Sequence, residues 1–225
     1  MNLKINIAVD GTASSGKSSV MMVVAKDLGF HFIDTGLMYR AYTKMCLDNK
    51  VDFNNNVKII EQLKNFDFHY REGNQIYVGN KNYTKYLSDY DVVENIKYIA
   101  TLLEVRNKMV DLQRKMAING NKIMVGRDIT TVVLPNAELK IYFDCSAETR
   151  AKRRVKQNEE NNIYPNDYED ILRQIIQRDE SDKNRKESPL MIAKDAWVID
   201  TSDLTFDQVV EKVKTKVLSF INQEE

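Results

Sequence analysis

Residues Gly11 to Ser18 read GTASSGKS, which fits the pattern G-x-x-x-x-G-K-S/T of a phosphate-binding loop. The apolar run INIAVD at 5–10 precedes the loop and is typical of a buried strand. The run SVMMVVAKDL at 19–28 follows it and predicts a helix ended by a glycine. In this order, the N–H groups of the loop and the positive end of the new helix surround phosphate oxygens. We expect Lys17 to reach the transferred phosphate and Ser18 to place its hydroxyl on Mg²⁺. The alternative, an ordinary Gly/Ser-rich turn, fits the flanking strand and helix less well.

Composition restricts the possible functions of the 225 residues. Lys plus Arg and Asp plus Glu both number 33, so the formal net charge is zero and a basic nucleic-acid-binding surface is not expected. Hydrophobic residues make up 43%, which suffices for a core. Cys46 and Cys145 lie in apolar runs and are expected to be buried thiols in a reducing compartment. With no recognisable signal peptide or membrane span, we expect a globular cytoplasmic protein that binds neither nucleic acid nor a membrane.

Strand candidates alternate with helices along most of the chain, which predicts an α/β fold. The pattern favours a doubly wound parallel five-stranded sheet with helices on both faces. Ligands bind beyond the carboxyl ends of such strands. The segment 130–137, which holds Pro135, is predicted to be a loop. The loops that should share one rim of the sheet are those after Asp10, Asp34, Gly126 and Asp200.

The segment from Asp67 to Leu87 has a different texture. It alternates with period two and contains Gly73 and Gly79, each beside an asparagine, which is a turn signal. We predict small antiparallel strands inserted between elements of the parallel core, followed by two helices over 89–118. The inserted strands are interpreted as a small subdomain; a surface hairpin without function is the alternative.

Polar residues after strand ends are the candidates for chemistry. In DTGLMYR, Thr35 could donate to a ligand, and Tyr39 and Arg40 could meet a sugar or phosphate. A helix N-cap with a core tyrosine explains the same pattern equally well. In GRD, Arg127 can bind a phosphate with two parallel hydrogen bonds, and Asp128 can accept from an amino group. A salt-bridged loop is the alternative for this triplet.

Two arginine clusters flank the polar segment 158–166. Such a segment between basic helices suits a mobile lid that closes over phosphates, where arginines neutralise the charge of the transferred group. A solvated helix face is the common alternative. One cluster is Arg150, Arg153 and Arg154, and the other is Arg173, Arg178 and Arg185 with Asp179 and Asp182.

Taken together, these motifs resemble those of the bacterial cytidylate kinases. The stretches that carry the resemblance are IAVDGTASSGKSS, FIDTGLMYRAYT, GRDITTVVLPNAELKIYFDCSAETRAKRR, QRDESDKNRKESPL and IDTSDLTFDQVVEKV. The resemblance implies a single monomeric P-loop kinase domain with a nucleoside-monophosphate-binding insertion at about 36–105 and a lid at about 150–168. It also implies Mg²⁺-dependent transfer of the γ-phosphoryl group of ATP to CMP or dCMP.

The resemblance assigns roles to individual residues. The implied catalytic residues are Lys17, Arg127, Arg178 and Arg185, and Ser18 is the implied Mg²⁺ ligand. ATP contacts are implied for Gly11, Thr12, Ala13, Ser14, Ser15, Gly16, Lys17, Ser18, Ser19, Arg150, Arg153 and Arg154. CMP contacts are implied for Thr35, Tyr39, Arg40, Arg106, Arg127, Asp128, Arg178, Asp182 and Arg185, with Arg106 and Asp128 reading the cytosine.

Three positions depart from the family pattern. Thr12 replaces a proline, and Thr130 replaces a glycine, so we expect the loop after Asp128 to be set differently. Tyr98 aligns with a cytosine-contacting serine, and Thr101 is the nearby hydroxyl that could substitute for it.

Two other functions stay open at this point. One is a different P-loop enzyme, such as a shikimate-type small-molecule kinase or another nucleotide kinase. The other is a nucleotide-binding regulatory module without turnover.

Overall fold

The computed structural model describes residues 5–71 and 75–224, with the backbone alone at residue 224. These residues form two compact units. The first unit comprises Met1–Ile33 and Asn119–Glu225, as far as these ranges are described, and the second comprises Asp34–Ile118.

The described residues contain eight strands and eight α-helices. The strands are β1 (Asn6–Gly11), β2 (His31–Asp34), β3 (Phe68–Arg71), β4 (Gln75–Val78), β5 (Lys81–Asn82), β6 (Lys122–Val125), β7 (Leu139–Asp144) and β8 (Trp197–Asp200). The helices are α1 (Lys17–Leu28), α2 (Thr35–Asp48), α3 (Asn56–Glu61), α4 (Tyr90–Ala100), α5 (Leu103–Ala117), α6 (Ala147–Glu160), α7 (Tyr168–Asn184) and α8 (Phe206–Glu224).

The core of the first unit is a parallel five-stranded sheet in the order β2-β6-β1-β7-β8. The central strand β1 pairs with β6 through Val9 and Val125 and with β7 through Ile7 and Leu139. Its apolar residues are fully buried, as a strand covered on both faces requires. Helices α1 and α8 pack together, and Val20, Val24 and Val213 join the same core. The predicted parallel five-stranded sheet is confirmed.

In the second unit, β3, β4 and β5 form an antiparallel sheet, with Phe68 opposite Val78 and Tyr77 opposite Asn82. The turn after β4 uses Gly79 at φ +57°, a conformation that glycine adopts without strain. The predicted turn at Gly73 lies outside the described residues. The predicted antiparallel strands and the two helices after them, α4 and α5, are confirmed.

The core of the second unit packs α2, α4 and α5 with the small sheet. Tyr42 is fully buried, and its hydroxyl donates to the carbonyl oxygen of Ile59 at 2.5 Å. The thiol of Cys46 is fully buried one turn away, and burial raises its pKa to about 12. Both cysteines are free thiols, as predicted.

The segment after β6 differs from the prediction. Residues Ile129–Val133 form a π-helical turn, where the sequence predicted only a loop from residue 130 to 137. The N–H of Val133 donates to the carbonyl oxygen of Asp128 at 3.1 Å, and that of Leu134 donates to Ile129 at 2.8 Å. Wide turns of this kind occur frequently at functional sites. No helix in the described part of the chain is both long and apolar enough to span a bilayer.

Candidate active site

The phosphate-binding loop joins β1 to α1. Its first glycine, Gly11, has φ +152° and pairs with Phe143 of β7. A Cβ at this position would collide with the Phe143 carbonyl oxygen. Gly16 precedes α1 in a left-handed conformation, φ +86°, which lets the chain turn directly into the helix. The two glycines of the motif are thus required by close packing and by backbone conformation.

Inside the loop, the carbonyl oxygen of Thr12 holds two side chains. Ser15 Oγ donates to it at 3.0 Å and Lys17 Nζ at 3.1 Å. Lys17 is buried, so its ammonium group is fixed within the loop. On the outer side lies a cavity of about 370 Å³, lined by Ser14, Ser15, Gly16, Lys17, Ser18, Ser19, Arg153, Arg154 and Gln157.

This cavity has the chemistry of a phosphate site. Lys17 and two arginines supply positive charge, and the N-terminus of α1 adds the positive end of a helix dipole. Ser18 also lines the cavity, and hydroxyl and phosphate oxygens are ligands that Mg²⁺ accepts. The donor set therefore fits a nucleotide phosphate tail with its metal.

The three arginines of α6 predicted to face ATP have different surroundings. Arg153 and Arg154 line the cavity. Arg150 instead is 3% exposed and pairs with Asp179 of α7 through two hydrogen bonds of 3.1 and 2.5 Å. Its guanidinium also donates to the carbonyl oxygens of Ala13 and Cys145. Packing of α6 on α7 buries this turn of the helix, and contact between Arg150 and ATP stays a prediction.

Arg127 and Asp128 lie in a cluster of charges that also includes two residues of the α7 region. Arg127 Nε donates to Asp182 at 2.9 Å. Arg185 lies 3.8 Å from Asp128 and 3.9 Å from Asp182, and its Nε donates to the Ser188 carbonyl oxygen at 2.6 Å. The structure therefore brings together four predicted site residues from two separate stretches. Arg178 lies on the exposed side of α7.

Asp10 anchors the turn that follows Arg127 and Asp128. The sequence singled out this residue only as the end of a strand. Its carboxylate accepts hydrogen bonds from the N–H groups of Ile129 and Thr130, both at 2.8 Å, and from Thr130 Oγ1 at 2.6 Å. Thr130 was expected to change the setting of this loop, and its hydroxyl makes a contact that a glycine lacks.

Of the loops predicted to share one rim of the sheet, those after β1, β6 and β8 lie in the first unit, where two hydrogen bonds join their surroundings. Gly126 donates to Val9 at 2.9 Å, and Thr201 Oγ1, just after β8, contacts the Ser15 carbonyl oxygen at 3.4 Å. The end of β6 therefore lies beside the end of β1, and the residue after β8 contacts the phosphate-binding loop.

The predicted site residues of the second unit lie around α2. Asp34 caps this helix by accepting from the N–H of Gly36 at 2.9 Å, and Thr35 is its buried first residue. Arg40 donates to the carbonyl oxygen of Leu87 at 3.0 Å. The buried Arg106 donates to the Ala100 carbonyl oxygen at 3.1 Å, and its guanidinium lies 5.9 Å from the ring centre of Tyr39.

Tyr70 of β3 holds the start of this helix. Its hydroxyl donates to the carbonyl oxygen of Asp34 at 2.6 Å and accepts from the Asp34 N–H at 3.1 Å. Burial raises the pKa of Tyr70, so the hydroxyl stays protonated at neutral pH. Thr101, which follows the last residue of α4, donates through its hydroxyl to the Lys97 carbonyl oxygen, whereas Tyr98 is 41% exposed.

Sequence reasoning missed the supporting residues. Tyr70 and Gln157 were not singled out, Asp10 was noted only as the end of a strand, and Asp179 was noted only as part of a charged cluster. For Asp10, a carboxylate at the end of an apolar strand was an available signal, since a buried charge needs partners. For Tyr70 and Gln157, the sequence offered no comparable signal.

The parallel sheet, the glycine-bounded loop and its lysine define a P-loop kinase fold. A solved gluconokinase from Sinorhizobium meliloti 1021 has this fold: it superposes with a TM-score of 0.50 at 13% identity, covering 100% of this chain and 99% of its own. That likeness concerns the fold alone.

Sequence comparison is more specific. The profile of the family described as cytidylate kinase matches residues 7–219. The cytidylate kinase of Mycoplasma capricolum subsp. capricolum is 49% identical over 95% of this chain and 96% of its own length. The cytidylate kinase of Mesoplasma florum is 49% identical over 96% of this chain and 97% of its own. The chain belongs to the cytidylate kinase family, which confirms the resemblance found in the motifs.

Proposed function

We propose that the chain transfers the γ-phosphoryl group of ATP to CMP or dCMP, giving CDP or dCDP. Membership of the cytidylate kinase family supports this reaction directly. The observation that carries it is the phosphate-binding loop, whose Lys17 lines a cavity together with Arg153 and Arg154.

On the donor side, the residues from Gly11 to Ser19 bind the phosphates of ATP. Lys17 provides a point charge for the transferred group, and Arg153 and Arg154 add positive charge from α6. Bound Mg²⁺ would supply charge neutralisation of the phosphate oxygens, and Ser18 is the residue that would hold it. Contact between Arg150 and ATP stays a prediction. The hydrogen bonds of Arg150 to Asp179 and to the carbonyl oxygen of Ala13 support a role in holding the phosphate-binding loop.

On the acceptor side, Arg127 and Arg185 bind the phosphate of CMP, and Arg178 and Asp182 meet its ribose and the transferred group. The ion pairs of the cluster support this assignment because Asp182 and Asp128 hold the two arginines in place. In the second unit, Thr35, Tyr39 and Arg40 contact the nucleotide, and Arg106 reads the base together with Asp128.

The chemistry follows from charge and position. The attacking atom is a phosphate oxygen that is already ionised, so the reaction needs no dedicated general base. The enzyme instead holds the two nucleotides in line and neutralises the charge that spreads over the transferred group. Closure of the segment 150–168 over ATP would exclude water and suppress hydrolysis. That the chain acts as a monomer in the cytoplasm stays a prediction.

The test is ADP formation from ATP and Mg²⁺, with and without CMP. We expect turnover that depends on CMP or dCMP and is far slower with UMP, AMP or shikimate. Lys17→Ala should lower kcat by about a hundredfold or more, because the lysine stabilises the transition state. ADP release with shikimate but not CMP would replace the proposed reaction by that of a small-molecule kinase. Nucleotide binding without turnover would indicate a regulatory module.

The base is tested separately. Cytosine presents an amino donor and the N3 acceptor, which a carboxylate and a guanidinium complement. Asp128→Asn should therefore reduce the ratio of kcat/KM for CMP over UMP while leaving the KM for ATP nearly unchanged. An unchanged ratio would remove Asp128 from base recognition.

A further inference from the structure

The turn Ile129–Val133 is fastened to the strand that enters the phosphate-binding loop. The carboxylate of Asp10 is fully buried, and among the described residues it receives three hydrogen bonds, which come from Ile129 and Thr130. Burial raises the pKa of Asp10, and the hydroxyl of Thr130 acts against this by stabilising the carboxylate. Thr130 itself is 1% exposed, so water does not replace its hydroxyl.

Asp10 and Thr130 lie beside different parts of the candidate site: the phosphate-binding loop and the pair Arg127 and Asp128. Asp10 is directly followed by Gly11, the first residue of the phosphate-binding loop. Thr130 comes two residues after Asp128 and three after Arg127. At its other end, the same segment is tied to α7 through the hydrogen bond of Arg127 to Asp182 at 2.9 Å. The arginine is therefore carried by a segment with two anchors, one of which is Asp10.

We propose that Thr130 is a positioning residue, whose hydroxyl sets Arg127 and Asp128 in register with the phosphate-binding loop. This inference rests on the proposed function, because it assigns the acceptor phosphate to Arg127. Thr130 does not touch substrate. It acts by fixing the turn that carries the residues which do.

The hydroxyl is the part of this anchor that a substitution can remove selectively. The two N–H donors belong to the backbone, while Thr130 Oγ1 supplies the third and shortest bond to Asp10. A buried carboxylate that loses a donor relaxes toward other partners, and the turn moves with it. Small displacements of a positioning group lower catalytic rates strongly: about 1 Å can cost a hundredfold.

The chain provides a matched control in the next residue. Thr131 belongs to the same turn, and its hydroxyl oxygen is buried with no hydrogen-bond partner among the described residues. Replacing it by valine removes an equivalent hydroxyl that holds nothing. Thr130→Ser is the second control, since it keeps the hydroxyl and loses only a methyl group.

The experiment compares wild type, Thr130→Val, Thr130→Ser and Thr131→Val in the full chain. It measures kcat and KM for CMP and for ATP, with the Tm of each variant. For Thr130→Val we expect kcat/KM for CMP to fall by about tenfold to a hundredfold, with the KM for ATP within about twofold of wild type. Thr130→Ser should retain most of the activity, and Thr131→Val should match wild type.

Equal kinetics for Thr130→Val and Thr131→Val would overturn the inference, as would parallel losses on the ATP and CMP sides. If Thr130→Val does not fold, Thr130→Ala replaces it. Failure of both to fold beside a folded Thr130→Ser would mean that the hydroxyl supports the whole fold, and it would also overturn the positioning role. Absence of CMP phosphorylation by wild type would instead sink the proposed function, and the inference with it.

Discussion

Two neighbouring turns of α6 carry the same type of side chain in different surroundings. Arg150 and Arg154 are four residues apart, so they lie on one face of the helix. Arg150 is buried against Asp179, whereas Arg154 is exposed, lines the cavity and donates to Gln157 at 3.1 Å. The difference shows that an arginine cluster in a sequence can combine a buried cation, paired within the protein, with an exposed one that lines a cavity. Burial distinguishes the two, because the N–H groups of a buried guanidinium are already hydrogen-bonded to other groups of the protein.

The largest effect should follow from removing the buried member. Arg150→Ala leaves the Asp179 carboxylate without its bidentate partner, and breaking such a buried pair lowers the free energy of unfolding by about 3–5 kcal/mol. Urea unfolding measures this, with Arg150→Lys as a control that keeps the charge but loses the planar fork. A small stability loss with a strongly raised KM for ATP would show that Arg150 binds ATP after all.

Arg153 should behave as an intermediate between the two. It lines the cavity, and it also donates to the carbonyl oxygens of Thr201 at 2.6 Å and Leu204 at 3.3 Å. Arg153→Ala should lower the free energy of unfolding by about 1–2 kcal/mol, since charged hydrogen bonds to the backbone are lost. It should also raise the KM for ATP by about fivefold, equivalent to about 1 kcal/mol. If only one of the two quantities changes, Arg153 belongs with Arg150 or with Arg154.

The smallest change in stability is expected at Arg154. An exposed arginine held by one glutamine contributes little, so Arg154→Ala should alter the free energy of unfolding by less than about 0.5 kcal/mol. Its KM for ATP should still rise by a fewfold at low salt, and this difference should shrink at high salt because exposed charges are screened. Steady-state kinetics at two ionic strengths measure it. A salt-independent change would argue for a desolvated contact instead.

The elements that the sequence predicted well depend on neighbouring residues. The strand, loop and helix around Gly11 to Ser18 follow from a short apolar run and two glycines, and both features act within a few residues. The alternation of 67–87 likewise specified the small sheet. For such segments local patterning and tertiary packing agree, so pattern alone was sufficient.

The features that the sequence did not predict depend on distant partners. The turn Ile129–Val133 is stabilised by a carboxylate 119 positions earlier in the chain, at Asp10. The burial of Arg150 depends on Asp179, a contact that exists only once α6 packs on α7. The sequence showed that Asp10, Arg150 and Asp179 carry charges, but it could not show which groups they would contact in the folded chain.

The two cysteines have a practical consequence. Cys46 lies in the core of the second unit and Cys145 follows β7 in the first, and both thiols are buried. At neutral pH, the raised pKa of Cys46 keeps it almost wholly as the unreactive thiol. Each unit therefore contains one natural label site that reacts with an alkylating reagent only when its own interior opens. Pulsed alkylation with peptide mass analysis could time the opening of each unit separately, without engineering a label site into the protein.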